Sequence, residues 1–311
     1  MAIHFHIPDF SRNFHLNMLL IKLMKEYPQM FREGADIGSV YGEFPSSLWN
    51  GGRVLGGMFP ENEIRYVAEQ LNENGVSLRY TFTNPLINQS HLDDRHCNRC
   101  LELTQRYDRM NGVIVVSPVL EKYIRQKYPH YKIISSTCKQ ITDFEALCEE
   151  LEKDYDYVVL DYNFNNNFEL LEKLPHKEKV EILVNAVCTP NCPRRKAHYQ
   201  YLGRTQIAYC EHLKKKGPGA PWKPAESFKC EHIGNTVYDA AHFPTHITPD
   251  AIFGKYAEMG FENFKIEGRS STLFNNMETY LYYLAKPEYR DSLRLTYLLS
   301  LEASGIVTVN D

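Results

Sequence analysis

Short apolar runs alternate with longer amphipathic stretches along most of the chain, which is typical of βα units repeated around a parallel sheet. Runs such as Val113-Ile114-Val115-Val116 are almost continuously apolar, as expected for strands covered by helices on one side and by a packed lumen on the other. The pattern predicts strands over residues 3–7, 35–41, 76–83, 113–117, 132–137, 157–162, 180–187 and 264–267. Eight parallel strands close a barrel, so we expect an α/β fold of the (β/α)8 TIM type.

The regularity fails once, between the seventh and eighth predicted strands. A connection of 76 residues (188–263) replaces the usual few. Loops of that length inside a compact domain are usually functional, and barrel enzymes place their chemistry in loops at the C-terminal ends of strands. We therefore expect a single barrel domain over residues 1–311, with a cysteine-bearing insertion over residues 188–246.

Composition narrows the class of protein. Hydrophobic residues at 43% and charged residues at 24% exclude disordered and fibrous chains. A formal charge of -4 argues against a protein whose whole surface is built to bind nucleic acid. No apolar run approaches the ~18 residues that cross a bilayer, and the first residues lack the basic start and apolar middle of a signal peptide. These features predict a cytoplasmic protein with no membrane partner.

Four of the eight cysteines lie in the insertion, at Cys188, Cys192, Cys210 and Cys230. In a reducing compartment such a set indicates metal ligation, catalysis or packing. Four thiolates fit a structural zinc ion or an iron–sulfur cubane, and their spacing does not choose between these; four unligated cysteines are the third possibility. Of the others, the Cys97 and Cys100 pair has helical spacing that favours core packing, Cys148 falls within a helix, and Cys138 could line the barrel mouth.

Polar side chains are predicted to point into the barrel. In the last strand Lys265, Glu267 and Arg269 share a face opposite Phe264 and Ile266. The same alternation places Arg79 and Ser135 inward. For deep positions a self-satisfied ion-pair layer is the alternative, for example Glu267 with Lys265 or Arg79. Residues at strand C-terminal ends favour substrate contact. The catalytic candidates are Asp161, Asn185, Glu267 and Arg269, and the substrate-binding candidates are His6, Thr137, Asn163, Arg194, Arg195 and His198.

Sequence motifs that carry other chemistries are absent. The chain has no G-x-S-x-G elbow, H-E-x-x-H helix, Walker loop or G-x-G-x-x-G turn. Serine-hydrolase, zincin, P-loop and Rossmann functions therefore have no residues to support them.

Several segments between about residues 76 and 285 resemble the peptidase U32 family. They are Phe264-Lys265-Ile266-Glu267-Gly268-Arg269, His246-Ile247-Thr248-Pro249, Asn111-Gly112-Val113-Ile114-Val115, Ser135-Ser136-Thr137 and the cysteine-bearing turn after the seventh strand. The resemblance implies a barrel whose cysteines hold a [4Fe-4S] cluster. It also implies oxygen-independent hydroxylation of ubiquinone precursors or RNA bases, with prephenate as oxygen donor for some members. The family's cysteine signature has longer gaps than C-x3-C. The chain also lacks the additional C-terminal domain of relatives that act on RNA, so an RNA substrate is not expected.

The leading hypothesis is thus an iron–sulfur enzyme that carries out oxygen-independent hydroxylation, or a related redox modification, of a small-molecule or peptide substrate. A U32-type peptidase is the first alternative. The second is a non-catalytic accessory subunit that carries the cluster, because some relatives work as heterodimers. A protein partner or an electron donor is expected under the first and last hypotheses.

Overall fold

The computed structural model describes residues 2–51, 56–230, 235–269 and 271–307. Eight parallel strands form one closed barrel in which each strand pairs with the next and β8 pairs with β1, so the predicted (β/α)8 fold is confirmed. The strands are β1 (Ile3–Pro8), β2 (Ala35–Gly42), β3 (Ser77–Phe82), β4 (Gly112–Val115), β5 (Lys132–Ser135), β6 (Tyr157–Val159), β7 (Val180–Leu183) and β8 (Asn263–Lys265).

Helices connect the strands of the barrel, and most of them cover its outer face. They are α1 (Phe14–Glu26), α2 (Glu61–Glu73), α3 (Arg95–Thr104), α4 (Pro118–Lys127), α5 (Phe144–Leu151), α6 (Phe168–Glu172), α7 (Arg195–Lys216), α8 (Val237–Ala240), α9 (Pro249–Ala251), α10 (Leu273–Leu284) and α11 (Arg290–Ala303). A π-helical turn, Ile252–Tyr256, extends α9. Within the described residues, none of the helices combines the length and apolar character needed to span a bilayer.

The main core lies between the strands and these helices. Phe264 and Ile266 are buried in it, as the alternation in the last strand predicts. Cys97 and Cys100 on α3 are also fully buried in this core, which confirms the packing role expected of that pair. The sequence therefore indicated correctly which face of β8 meets the helices.

The lumen holds a closed layer of charged side chains. Glu181 on β7 accepts from Arg79 at 2.6 Å and from Lys265 at 2.7 Å, and its carboxylate lies 3.6 Å from His6 Nε2. His6 Nδ1 also lies 2.8 Å from the Ser39 hydroxyl. Burial alone would raise the pKa of Glu181, but Lys265, His6 and Arg79 lower it to about 2. Burial, followed by the charge of Arg79, lowers the pKa of His6 to about 3.

Two sequence expectations are corrected by this layer. The carboxylate that neutralises Lys265 and Arg79 is Glu181 rather than Glu267. His6, expected to bind substrate, is 1% exposed and belongs to the closed network below the mouth. Tyr41, Ile114, Ile134 and Val159 form a separate buried apolar cluster that adjoins this layer, with the Lys265 amine 4.2 Å from the Tyr41 ring centroid. The lower barrel is thus filled by side chains that satisfy one another.

Helix α7, the first part of the insertion, is fixed on opposite sides of the barrel mouth. At its start, Arg195 bonds Asp161 and Thr137, which follow β6 and β5. Further along, Gln206 donates to Ser47 O at 2.8 Å, and Asn84 Nδ2 donates to Gly203 O at 3.1 Å. With 22 residues the helix is ~33 Å long at ~1.5 Å per residue, which is enough to cross the mouth.

Candidate functional site

One side of the mouth is built around a buried ion pair between Asp161 and Arg195. Asp161 follows β6, and its carboxylate accepts from Arg195 Nη1 at 2.6 Å, with side chains 1% and 4% exposed. Arg195 also donates to Thr137 O at 3.1 Å and to the Tyr199 hydroxyl at 3.1 Å, and its guanidinium lies 4.2 Å from the Tyr162 ring centroid. Burial alone would lower the pKa of Arg195, but Tyr199, Tyr162 and Asp161 raise it, so the group stays charged.

The opposite side of the mouth is built around Arg269, which follows β8. Its Nη1 donates to Glu43 at 2.8 Å, to the Thr81 hydroxyl at 2.9 Å and to Asn50 at 3.4 Å. Thr81 in turn donates to Glu43 at 2.5 Å. Glu43 is 3% exposed and was not predicted, although its place directly after β2 is the position that the barrel rule marks as functional.

Glu267 lies between these two sides and is held by the backbone of the β7 loop. Asn185 donates to Glu267 O at 3.0 Å and accepts from Glu267 N at 2.7 Å, while the Glu267 carboxylate accepts from Val187 N at 3.0 Å. Asn185 therefore positions Glu267 rather than facing the mouth as an independent group. Cys138 follows Thr137, which accepts from Arg195, so it lies at the Asp161–Arg195 side of the mouth.

Cys188 and Cys192 border the mouth beside Arg195. Burial raises the pKa of the Cys188 thiol. Tyr162 and Arg195 lower this pKa, whereas Cys192 and Glu267 raise it further. Tyr162 is 2% exposed, and its hydroxyl has no hydrogen-bond partner that meets ordinary distance and angle limits among the described residues. Burial raises the pKa of this hydroxyl, and Arg195 lowers it. The Cys188 thiol raises the same pKa. The C-x3-C turn is fixed from below by Asn163, whose side chain accepts from Asn191 N at 2.9 Å.

The segment that carries Cys230 packs on the first turns of α7. Arg194 donates to Lys229 O, and its guanidinium lies 4.6 Å from the Phe228 ring centroid. His198 stacks on Phe228 with ring centroids 4.6 Å apart and planes 7° apart. Arg194 and His198, expected to bind substrate, therefore hold the returning segment of the insertion. Cys230 lies next in the chain to Lys229, at the same end of α7 as Cys192.

Cys210 is placed elsewhere. It is 3% exposed, belongs to the main core, and donates to Ser46 O at 3.4 Å in the loop after β2. It follows Arg195 by 15 residues, about 22 Å along a helix that rises ~1.5 Å per residue. Two sulfurs on one zinc ion are at most ~4.6 Å apart, since each bond is ~2.3 Å, and a cubane cluster is also only a few ångströms across.

The four predicted ligands are therefore not gathered around one centre. Across the part of the chain that the structure describes, no three His, Cys, Asp or Glu side chains are grouped so that they could hold a metal ion. The predicted four-cysteine set does not fit either a [4Fe-4S] cluster or zinc, because Cys210 is turned into the core at a distant point of α7.

Comparison with solved structures finds a similarity of fold. A solved structure described as a U32 peptidase matches over 88% of this chain and 95% of its own, at 14% identity and a TM-score of 0.47. No family model matches the chain, and neither does any curated protein. The fold and the site together define a (β/α)8 barrel whose mouth carries one buried and one partly buried ion pair beneath a crossing helix.

Proposed function

We propose that the chain is an enzyme that carries out a redox modification of a small or peptide-borne polar substrate, of the oxygen-independent hydroxylation type, at the barrel mouth under α7. The observation that carries this proposal is two ion pairs at the C-terminal ends of the strands, the buried pair Asp161–Arg195 and the pair Glu43–Arg269, in which Glu43 is buried and Arg269 is partly buried. Taking charges out of water is costly, and apolar residues of similar size would pack there without that penalty. Polar groups that converge at this end of a barrel are typical of substrate sites.

In this proposal the residues of the mouth have different roles. Arg269 and Arg195 are held by their carboxylate partners, so each places its positive charge at a fixed position of the mouth. Glu267, fixed by Asn185 and by Val187 N, is the candidate for holding or moving a proton at its carboxylate.

The test is metal analysis of anaerobically purified full-length chain. The redox proposal requires a brown protein with inorganic sulfide and about four irons per chain, as a cubane cluster has, and a paramagnetic signal after reduction. A colourless protein that contains stoichiometric zinc, or no metal after reconstitution with iron and sulfide, would exclude the redox proposal.

A U32-type peptidase is the alternative function. A serine–histidine–carboxylate chain in the lumen is relevant to this alternative. Ser39, His6 and Glu181 form a hydroxyl–imidazole–carboxylate chain, with 2.8 Å from the Ser39 oxygen to His6 Nδ1 and 3.6 Å from His6 Nε2 to the Glu181 carboxylate. All three are at most 1% exposed, so a peptide cannot reach the serine. Peptide hydrolysis that persists in a Cys188→Ala, Cys192→Ala double variant and is lost in Glu267→Gln would favour the peptidase.

The accessory-subunit hypothesis makes a different prediction from both. An isolated chain would bind the centre but show turnover only after a second protein is added. Comparing turnover of the isolated chain with that of a reconstituted mixture separates this hypothesis from the leading one.

A further inference from the structure

We propose that the groove between α4 and α5, on the outside of the barrel, binds a small amphipathic carboxylate, that is, an anion with an apolar or aromatic body. The groove encloses about 700 Å³, and its lining includes none of the residues of the mouth. Cavities of roughly 300–1,000 Å³ with apolar walls and a few convergent polar groups are typical small-molecule sites. The inference goes beyond the redox proposal, because it needs no metal centre and no residue of the mouth.

The floor of the groove is apolar. Val116 and Pro118 line it at the start of α4, and Ile141 lines it from the loop after β5. Ala146, exposed on α5, and Tyr155, which is 7% exposed, complete these walls. The short side chain of Ala146 leaves the groove open on the α5 side. The apolar body of a ligand would lose contact with water against these side chains, which favours binding.

The buried carboxylate of the groove is fully occupied. One oxygen of Glu150 accepts from the Ser135 hydroxyl and from Lys139 Nζ, both at 2.6 Å, and the other accepts from Lys153 Nζ at 2.6 Å. Burial alone would raise the pKa of Glu150, but Lys139, Lys153 and Ser135 lower it to about 2. Glu150 therefore stays charged and has its oxygens committed to the protein.

Glu121, on the α4 side of the groove, is committed in the same way. One of its oxygens accepts from Arg125 at 3.0 Å and the other from the Tyr155 hydroxyl at 2.7 Å. Glu149 is the third carboxylate of the lining and is exposed on the rim. A cationic ligand would thus have to compete with the protein's own donors for both inner carboxylates.

Donors, in contrast, remain available in the groove. An ammonium group has three N–H donors, and Lys139 uses two of them among the described residues, toward Glu150 and toward the Tyr155 hydroxyl at 2.8 Å, with Glu121 3.9 Å away. Lys122 is exposed on the rim and makes no hydrogen bond or ion pair with the described part of the chain. The whole lining has four cations and three carboxylates. The remaining hydrogen-bonding capacity is therefore cationic, which suits a carboxylate.

The experiment is isothermal titration of the full-length chain with three probes of similar size, naphthalene-1-carboxylate, 1-naphthalenemethanol and 1-naphthylmethylammonium. We expect the carboxylate to bind about tenfold more tightly than the alcohol, since a hydrogen bond to an ion is roughly twice as strong as a neutral one. The ammonium should bind most weakly.

Two variants locate the site, each with a matched control. Ala146→Phe places a ring in the groove and should abolish binding of the carboxylate, whereas Ala303→Phe, at an exposed position of α11, should leave it unchanged. Lys139→Gln should remove the preference for the carboxylate over the alcohol, and Lys22→Gln, exposed on α1, should keep it. Melting temperatures show whether each variant is folded.

Three results would overturn the inference. Equal affinity for the carboxylate and the alcohol would remove the preference for an anion. Carboxylate binding that persists in Ala146→Phe would mean that the probe binds elsewhere, and a wild-type chain that binds none of the probes would exclude the site altogether. None of these results depends on iron or sulfide content, so failure here is distinguishable from failure of the redox proposal.

Discussion

Replacing Glu181 with Gln tests whether the charged layer in the lumen holds the barrel together. Glu181 is fully buried and bonds Arg79 at 2.6 Å and Lys265 at 2.7 Å. The amide keeps the shape of the side chain but leaves two buried cations without a counter-charge. Removing one partner of a buried ion pair costs about 3–5 kcal/mol, because the remaining charge stays out of water.

The size of the effect depends on how the two cations respond. Burial already lowers the pKa of Lys265, so this amine can lose its proton and relieve part of the penalty. Arg79 cannot lose its proton in this way, because a guanidinium remains charged in proteins. We therefore expect Glu181→Gln to lower the free energy of unfolding by about 4 kcal/mol, a large part of the ~5–15 kcal/mol typical of a domain.

The measurement is urea unfolding followed by circular dichroism and by the fluorescence of Trp49, which is buried beside Phe82. Glu278→Gln is the matched control, since Glu278 pairs with Arg294 at a site about one-third exposed, where an ion pair contributes about 0–1 kcal/mol. A cost for Glu181→Gln no larger than that of the control would refute the assignment of Glu181 as the counter-charge.

A triple variant separates charge from packing in the same layer. Arg79→Met, Glu181→Leu and Lys265→Met together remove all the charges of the two pairs. Replacing a whole buried ion network by apolar residues of similar volume is often neutral or stabilising. We expect the triple variant to recover most of the stability that Glu181→Gln loses, and a triple variant less stable than Glu181→Gln would contradict this reasoning.

Three further changes have defined outcomes. A Cβ on Gly203 would lie 2.4 Å from Asn84 Oδ1, so Gly203→Ala should lower the free energy of unfolding by about 1–3 kcal/mol, whereas Gly254→Ala, which meets no atom within 4 Å, should be neutral or stabilising in the same urea titration. The folded chain lowers the pKa of His6 to about 3, against an ordinary value of 6.5, so the unfolded chain binds this proton more readily. The free energy of unfolding should therefore fall by up to ~1.4 kcal/mol per pH unit below pH 6.5. His6→Gln should flatten that slope between pH 6 and 4. Asp161→Asn and Arg195→Met should each cost about 3–5 kcal/mol, and the double variant should cost less than their sum; exact additivity would show that the pair is not coupled.

The sequence predicted the number, order and type of the strands because apolar runs of strand length are a local property. It placed the ends of β3 to β8 one to four residues too late, because the pattern does not mark where pairing stops. Residue 161 was predicted inside the sixth strand, yet β6 ends at Val159 and Asp161 caps a short 3-10 turn by accepting from Asn163 N. Alternation also placed Ser135 in the lumen, but it donates to Glu150 on α5 and so faces outward.

The sequence contains the signal for Glu181 as the buried carboxylate of the lumen. It is the single charged residue within Val180-Glu181-Ile182-Leu183, and a run so apolar favours a strand buried on both faces. A lone carboxylate at such a position needs a buried cation, and the inward-facing Arg79 and Lys265 supply two. The position of α7 was not predictable in the same way. It depends on contacts to backbone carbonyls of the loop after β2, and any sequence offers those carbonyls.

The two charged layers of the barrel differ in what separates them from water. The lumen layer is enclosed by the strands themselves, so no molecule can reach it without opening the barrel. The mouth layer is covered by α7, whose start is held by the Arg195 bonds and whose later turns are held by bonds to Ser46 O and Ser47 O. A substrate that contacts Glu267 must therefore enter beside α7.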